Sequence, residues 1–381
     1  MLLMTPTLFL LAIPLEPVQR FHRMWSTVVA VTWFNISTLL LEKFGGVRVV
    51  LTGDELPRGE VPLIICNHRT RIDWMFLWCL CLRTGNLAAM KIALKESLKS
   101  LPGFGWAMQC FLFVFLARDK NKDLKYLEDL VAHHHQRGLP VSLVIFPEGT
   151  DLHPEAVVKC EEFAKQRGLV QYKYILHPKV VGFQHSMGLL RGSCGALYDV
   201  TIAYVDHVDG ERPTELSLLS FRLPREVHMH VRRDPMTSLP TDDAGLEKLV
   251  VERFAAKEAA LRAFYETPYP AKGVPPDAPG RGRRFPQDER QPPVSPTERY
   301  LSWAAGVAFW SLASLLACVV LNTPFGWFAA IGNAVFWVIM TRSGGADRLE
   351  LRVVGGGGKP LLEGPAAAAD AVTGSEGRKE R

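Results

Sequence analysis

Two uncharged apolar runs in the carboxyl-terminal third constrain the fold of this chain more than any other feature. Residues 301–321 carry no charged side chain over 21 positions, and residues 324–340 carry none over 17. Runs of this length match the hydrocarbon core of a bilayer. Joined by a three-residue link, they predict a transmembrane helical hairpin over residues 300–341. The alternative is a buried helical pair in a soluble domain.

The flanks of the hairpin indicate its orientation. Arginines are frequent on both outer flanks, whereas the connecting turn has no charge. Because cytoplasmic flanks are enriched in arginine and lysine, both flanks are predicted to lie in the cytosol. Four tryptophans are spread along the hairpin, and some of them are expected at interface depth. The four are Trp303, Trp310, Trp327 and Trp337.

The amino-terminal segment is also apolar, but its two runs are short. Residues 1–15 and 24–41 are separated by a stretch that contains arginines and a proline. The first run has neither a basic start nor a convincing cleavage site, which argues against a secretory signal. Residues 1–43 are therefore predicted to form N-terminal membrane-associated helices that either span the bilayer or lie in one leaflet.

The central part of the chain, residues 44–267, alternates strand-like and helix-like patterns. Strands are predicted at residues 47–52, 61–66, 111–116, 141–146, 197–204 and 227–232. The middle four are nearly continuous apolar runs, as expected of strands covered on both faces. Helices are predicted at residues 70–83, 121–137, 155–167 and 242–265, the last with Thr241 as its N-cap. This order predicts an α/β domain with a mostly parallel sheet flanked by helices.

Two further segments have compositions that build no core. Residues 268–299 contain nine prolines and are predicted to form an extended, proline-rich linker to the hairpin. Residues 342–381 include four consecutive glycines and four consecutive alanines, and are predicted to be a disordered tail.

Charge and cysteine usage narrow the partners and the compartment. The net charge of +5 suits anionic lipid surfaces or phosphorylated substrates. The sequence has no basic stripe interleaved with aromatic residues, so a nucleic-acid partner is not expected. The seven cysteines are scattered, without a C-x-x-C pair, which is typical of a reducing compartment. Cys66 is predicted to be an inert buried thiol.

The stretch ICNHRTRIDW places His68 and Asp73 five positions apart, directly after a predicted strand. Five positions turn about 140° around a helix, so the two side chains can meet only if the histidine lies in the loop. The Asp73 carboxylate would then accept from His68 Nδ1 and leave Nε2 free as a general base. The alternative is a capping box formed by Thr70 and Asp73.

The stretch VSLVIFPEGT repeats the layout of a strand that runs into a loop. Glu148, Gly149 and Thr150 could hold the oxygens of an anion through backbone amides and orient a polar substrate. The alternative is a simple type I turn, with proline at its second position and glycine at its fourth.

Basic residues mark a third block, residues 91–122. Arg118 follows a predicted strand, where its guanidinium is suited to bind a phosphate through two hydrogen bonds, and Lys95 is a second candidate. For Lys99 we favour a solvated face of an amphipathic or membrane-surface helix. The histidines at 133–135, 228 and 230 are interpreted as polar surface or face residues and not as metal ligands.

Four sequence blocks occur in a fixed order along the chain. They are N-H-x-x-x-x-D at 67–73, the lysine and P-G-F-G-W block that ends in Arg118, F-P-E-G-T at 146–150, and LHPKVVGF at 176–183. Together they resemble the four blocks of the glycerolipid acyltransferases, the lysophosphatidic acid acyltransferase family. The wording of NHRTRIDWMFLW, LPGFGWAMQ and FPEGTDL is most similar to its lysocardiolipin acyltransferase branch.

This resemblance implies transfer of an acyl group from acyl-CoA, as co-substrate, to a free hydroxyl of a lysophospholipid in a membrane. It implies that His68 is the general base and that Asp73 orients its imidazole, with no enzyme nucleophile, no metal and no further cofactor. The acceptors it implies are lysocardiolipin, lysophosphatidylinositol or lysophosphatidic acid. The expected location is the endoplasmic reticulum membrane, with a mitochondrial membrane as the alternative.

The resemblance also assigns the substrate-binding residues. They are Lys95 and Arg118 for the phosphate, and Glu148, Gly149 and Thr150 for the glycerol and phosphate portion. One position departs from the family pattern, because Asp151 stands where an arginine is usual. Either Lys95, Arg118 or Lys179 then supplies the positive charge, or a bulkier acceptor places its phosphate elsewhere. Two other functions stay open: a phospholipid hydrolase that uses the same base, and a non-catalytic membrane scaffold.

Overall fold

A computed structural model describes residues 1–205, 212–220, 222–267 and 283–354. Its strands are β1 Arg48–Gly53, β2 Pro62–Cys66, β3 Met90–Lys95, β4 Val114–Leu116, β5 Ser142–Ile145, β6 Ala196–Val205 and β7 Glu226–Pro235. Its α-helices are α1 Thr5–Phe9, α2 Glu16–Leu39, α3 Asp73–Thr84, α4 Phe104–Cys110, α5 Lys120–Gln136, α6 Pro154–Arg167, α7 Val180–Leu190, α8 Glu215–Leu219, α9 Asp243–Glu266, α10 Pro296–Leu321, α11 Pro324–Arg342 and α12 Ala346–Val354.

The strands form one mostly parallel sheet, as predicted. Their spatial order is β1-β7-β6-β2-β5-β3-β4, and the β6–β7 pair is antiparallel while the other neighbours are parallel. The carboxyl ends of β2, β5, β3 and β4 therefore meet at one edge of the sheet. The predicted motif loops follow β2 and β5 and so lie side by side at that edge.

Helices cover both faces of the sheet. Within β2, Leu63 and Ile65 pack into the core formed with α5, α7 and α9, whereas Ile64 and Cys66 pack into the core formed with α2 and α3. This alternation is the period-two geometry of a strand, with both faces buried. Burial raises the pKa of the Cys66 thiol well above its ordinary value, as expected of an inert cysteine.

Three helices are long and apolar enough to cross a membrane: residues 16–44, which extend α2 by a π-helical turn, and α10 and α11. Nearly half of the apolar window of α2 is buried, 44%, against 6% for α10 and 11% for α11. Helix α2 packs on both α3 and α10. It therefore lies between the α/β domain and the hairpin, while the hairpin exposes its apolar surface.

Two of the hairpin tryptophans pack against the amino-terminal helices. Trp303 and Trp337 are buried, where their indole N–H groups donate to Thr38 Oγ1 at 3.0 Å and Thr5 Oγ1 at 2.8 Å. Trp327 is exposed. Trp303 and Trp337 therefore hold the hairpin to the amino-terminal helices, and the depth of the hairpin tryptophans in a bilayer stays a prediction.

The third motif block differs from its predicted structure. Residues 90–95 form strand β3, which pairs with β4 and β5, so the lysines there do not lie on a helix. The predicted strand 111–116 shrinks to β4 because Phe111 caps α4 and Leu112 turns through a φ of 53°. Lys99, predicted to be solvated, is buried and donates to Asp347 Oδ2 at 2.8 Å.

The predicted linker and tail are partly ordered. Phe285 is buried, and Arg290 donates its backbone N–H to Leu51 O at 2.7 Å, so the second half of the linker packs on the domain. The prediction of disorder after residue 342 is wrong for α12. Residues 268–282 and 355–381, which carry the rest of these two predictions, lie outside the described residues. Helix α9 begins with Asp242 as its N-cap in place of the predicted Thr241.

Helix α12 is ordered because two of its carboxylates are buried among cations. Asp347 accepts hydrogen bonds from Lys99 Nζ and from the Tyr126 hydroxyl, the latter at 2.7 Å. Glu350 is the partner of a second group of side chains from α2 and α5. Glu350 Oε2 lies 3.6 Å from Arg23 Nη1 and 3.5 Å from His22 Nε2, and Glu350 Oε1 lies 3.3 Å from His133 Nε2. His133 and His134 are consequently buried and not solvated as predicted, whereas His135 is exposed.

Candidate active site

The loop between β2 and α3 carries the predicted catalytic pair. Asn67 anchors this loop to β6: its side chain donates to Ile202 O at 3.1 Å and accepts from Ile202 N at 2.8 Å. His68 therefore lies in the loop, and Asp73 opens α3. This is the arrangement in which the two side chains can meet.

His68 and Asp73 are in direct contact. His68 Nδ1 donates to Asp73 Oδ2 at 2.9 Å, and the carboxylate is fully buried while the imidazole retains 17% exposure. Among the described residues, His68 Nε2 has no hydrogen-bond partner. The local capping contacts are present as well, since Thr70 donates its N–H to Asp73 at 3.0 Å and its hydroxyl at 3.2 Å. One carboxylate thus orders the loop and orients the imidazole.

Two aromatic residues that the sequence did not indicate complete the surroundings of this pair. The Tyr204 hydroxyl donates to Asp73 Oδ1 from the far end of β6. The Phe146 ring stacks on the His68 imidazole with centroids 4.2 Å apart. Tyr204 lies 131 residues from Asp73 in the chain, so no local pattern could have linked them.

The electrostatics favour a basic imidazole. Burial lowers the pKa of His68, but the hydrogen bond and the charge of Asp73 outweigh it, helped by Glu148 and Asp151. The net result is a pKa of His68 above its ordinary value of 6.5. A nearby carboxylate that favours the protonated form is the ordinary cause of such a shift.

Glu148 is buried between two motif blocks. It is 2% exposed, and its two oxygens accept backbone N–H groups of His68 at 2.7 Å and Leu176 at 2.8 Å. Burial raises the pKa of Glu148 to about 7, against these hydrogen bonds. Glu148 therefore positions the His68 loop against the fourth motif block, and its predicted contact with the glycerol and phosphate portion stays a prediction.

Gly149 and Thr150 lie at the surface of the same loop. Gly149 has a φ of 74°, and a Cβ there would meet Lys179 Nζ at 2.9 Å, so glycine lets this lysine cross the loop. Thr150 is half-buried beside Asp151. The structure thus brings Lys179, the alternative phosphate partner, directly over the F-P-E-G-T loop.

The other predicted phosphate ligands lie on the same edge of the sheet but farther away. Lys95 ends β3, two strands from β2, and Arg118 follows β4, three strands from β2, which corresponds to about 10 Å and 14 Å across the sheet. Both side chains are exposed, and neither forms an ion pair within the described ranges. They can therefore receive a large acceptor, but they do not contact His68.

Asp151, which stands where an arginine is usual in the family, lies within ion-pair distance of Arg71 in the neighbouring motif loop. Its Oδ2 lies 3.6 Å from Arg71 Nε, and the Arg71 side chain is 62% exposed. The sequence did not single out Arg71. Arg71 and Asp151 lie in different motif loops, far apart in the sequence. They become neighbours only because β2 pairs with β5, so no local pattern in the sequence links them.

Removal of the Asp73 charge should change the pH dependence of the reaction. In Asp73→Asn the carboxylate that raises the pKa of His68 is lost while burial, which lowers it, stays. The acidic limb of the kcat/KM profile, where the base becomes protonated, is expected to move to lower pH, with a reduced plateau. The profile is measured between pH 5 and 9, with Asp129→Asn on α5 as the control. An acidic limb at the wild-type position would show that another group titrates.

Comparisons with known proteins agree with this geometry. An Acyltransferase family model matches residues 48–182, and an Acyltransferase C-terminus model matches residues 217–304. Lysocardiolipin acyltransferase 1 of Danio rerio is 38% identical over 90% of this chain and 89% of that protein, and the Mus musculus protein of that name is 36% identical over 89% and 88%. Lysophosphatidylinositol acyltransferase 10 of Caenorhabditis elegans is 32% identical over 87% and 85%.

The chain therefore belongs to the glycerolipid acyltransferase family. Within that family, the extent of these matches places it beside the lysocardiolipin acyltransferase branch.

Proposed function

We propose that the chain is a membrane-bound acyl-CoA:lysophospholipid O-acyltransferase. The observation that carries this proposal is the contact between His68 and Asp73, with His68 Nε2 unpartnered among the described residues and accessible at the carboxyl edge of the sheet. The relatives whose names specify lysocardiolipin and lysophosphatidylinositol support a lysophospholipid acceptor. The three long apolar helices support attachment to a membrane.

The proposed reaction is a direct transfer. His68 Nε2 removes the proton of the acceptor hydroxyl as its oxygen forms a bond to the thioester carbonyl carbon. The carbon–sulfur bond then breaks, and the coenzyme A thiolate leaves and takes the proton back from the imidazolium. Asp73 stabilises the imidazolium through Nδ1. In this scheme acyl-CoA is a co-substrate, and no covalent acyl-enzyme, metal or further cofactor takes part.

The cations around the site support an acceptor larger than lysophosphatidic acid. Lys179 and Arg71 are held at the two motif loops, while Lys95 and Arg118 lie farther along the same edge. Four cations spread over this distance fit a head group that carries more than one anionic or polar unit. Lysocardiolipin, with two phosphates, and lysophosphatidylinositol are the proposed acceptors.

The proposed location is the endoplasmic reticulum membrane, with the catalytic domain in the cytosol. The cytosolic placement of the catalytic domain rests on the arginines that flank the hairpin on both sides. A mitochondrial membrane is the alternative, because the relatives' names concern lipids and not compartments.

A panel of acceptors tests the function. Purified full-length protein receives a radiolabelled acyl-CoA with lysocardiolipin, lysophosphatidylinositol, lysophosphatidic acid or no acceptor. We expect acyl transfer to at least one of the first two. Exclusive use of lysophosphatidic acid would contradict the proposed acceptor class, and free fatty acid formed at full rate without acceptor would identify a hydrolase. Folded protein that is inactive with every acceptor would identify a scaffold.

A further inference from the structure

A second polar pocket lies at the opposite edge of the sheet from His68. It is lined by Arg23 and Ser26 of α2, Lys91 of β3, His134 of α5 and the rings of Phe34 and Phe111. Lys91 pairs in register with Leu143, which is level with Leu63 of β2. His68 follows Leu63 by five residues, so the pocket is about 16 Å or more from the catalytic loop.

The pocket holds two basic side chains, and the described residues offer Lys91 no acidic partner. Lys91 is only 9% exposed and has no ion pair or hydrogen bond with any described residue. Arg23 is 6% exposed, donates Nη2 to Cys110 O, and lies 3.6 Å from Glu350. Glu350 also lies within ion-pair distance of His22 and His133. It forms no ion pair with Lys91.

The surroundings of Lys91 lower the pKa of its amine. Burial lowers its pKa to about 7, with a further contribution from the Arg23 charge and partial relief from Glu350. A buried ammonium without a partner is unfavourable unless a counter-charge joins it. The pocket therefore favours an anion.

Two side chains that line the pocket each carry a buried polar atom without a hydrogen-bond partner among the described residues. Arg23 Nε and Ser26 Oγ are buried and have no hydrogen-bond partner among the described residues. Both side chains are more than nine-tenths buried and belong to the pocket lining. Buried polar groups are rarely left unpaired, because each one loses its hydrogen bonds to water without a replacement.

His134 adds an acceptor to these donors. Its Nδ1 lies 2.9 Å from Leu130 O, and because a carbonyl accepts, Nδ1 carries the hydrogen. Burial holds the pKa of His134 well below its ordinary value, with a contribution from Lys91, so the ring is neutral and Nε2 is an acceptor. The ligand must therefore present negative oxygens to Lys91 and Arg23 and one hydroxyl to His134.

We propose that this pocket binds a phosphate group that carries a proton or a neighbouring hydroxyl, either as a phospholipid head group or as inorganic phosphate. The apolar wall is formed by Phe34 of α2, one of the helices long enough to cross a membrane, and by Phe111 packed against it. A lipid could enter along this wall. The site is separate from the proposed acyl transfer and stands whether or not that function is correct.

Modification of Lys91 tests the site in the wild-type protein. The full chain in detergent is treated with cyanate, and carbamylation of Lys91 and of the exposed Lys165 on α6 is quantified by peptide mass spectrometry. The probes are inorganic phosphate, vesicles of phosphatidylcholine, and the same vesicles with phosphatidic acid. We expect a probe to lower Lys91 modification at least about tenfold and to leave Lys165 unchanged.

The probes distinguish the two sources. Protection by inorganic phosphate identifies a free-anion site, and protection only by vesicles with phosphatidic acid identifies a lipid site. A melting-temperature titration with the effective probe follows on Lys91→Gln, Lys165→Gln and His68→Ala. The saturable shift should need at least about tenfold more probe in Lys91→Gln and should be unchanged in the other two. No protection by any probe, or equal shifts in Lys91→Gln and wild type, would overturn the proposal.

Discussion

His68→Ala is expected to lower the rate of acyl transfer by about 10²- to 10⁴-fold, the usual contribution of a general base. The imidazole is the group that Asp73 orients and that Glu148 positions through the backbone, and its Nε2 has no partner among the described residues. Asp73 cannot take over the proton, because its carboxylate is fully buried behind the ring. The measurement is kcat with purified protein, saturating acyl-CoA and the preferred lysophospholipid.

The matched control is His135→Ala, which removes an exposed histidine of α5. Its activity should equal that of the wild type, and both variants should melt within a few degrees of it. A His68→Ala enzyme with activity within a few-fold of wild type would rule out the proposed base.

Glu350→Gln is expected to lower the free energy of unfolding by about 3–5 kcal/mol, because it leaves the buried Arg23 guanidinium without its carboxylate. Glu350 is 2% exposed and lies within ion-pair distance of Arg23, His22 and His133. The free energy is measured by urea titration of the full chain in detergent at pH 7.

The pH dependence gives a second readout of this group. Burial raises the pKa of Glu350, but the charges and hydrogen bonds of Arg23, His133 and His22 outweigh it and hold the pKa well below its ordinary value. A depressed pKa stabilises the folded chain above the ordinary glutamate range, and that stabilisation is lost as the pH falls through the folded-state pKa. The difference between wild type and Glu350→Gln should therefore shrink at acidic pH.

The control for this substitution is Glu247→Gln on the exposed side of α9, which should change the free energy by less than about 0.5 kcal/mol. Equal stabilities for Glu350→Gln and Glu247→Gln would show that α12 contributes little to holding the amino-terminal helices.

The parts of the fold that follow from local pattern were predictable. Strands β2, β5 and β6 are runs of apolar residues buried on both faces, and helices α5, α6 and α9 lie within two residues of their predicted bounds. The five-residue spacing allowed the contact of His68 with Asp73 if the histidine lies in the loop, and the resemblance to the acyltransferase blocks favoured that contact. In each case the information lies within a few neighbouring positions.

The parts that depend on distant partners were not predictable. Strand β3 carries Lys91 and Lys95, and its strand character comes from pairing with β4 and β5. Helix α12 is short and charged, and it is ordered because Lys99, Tyr126 and the cationic groups near Glu350 are already in place. Tyr204 reaches Asp73 only through the order of strands in the sheet.

The contact between α12 and α2 also determines when the protein can finish folding. Arg23 leaves the ribosome well before Glu350, which follows only after the α/β domain and the hairpin have been synthesised. Until then, Arg23 lacks this counter-ion and must stay hydrated. Burial of Arg23 is therefore a late step, and a nascent chain halted before residue 346 would keep this part of α2 exposed to chaperones and proteases.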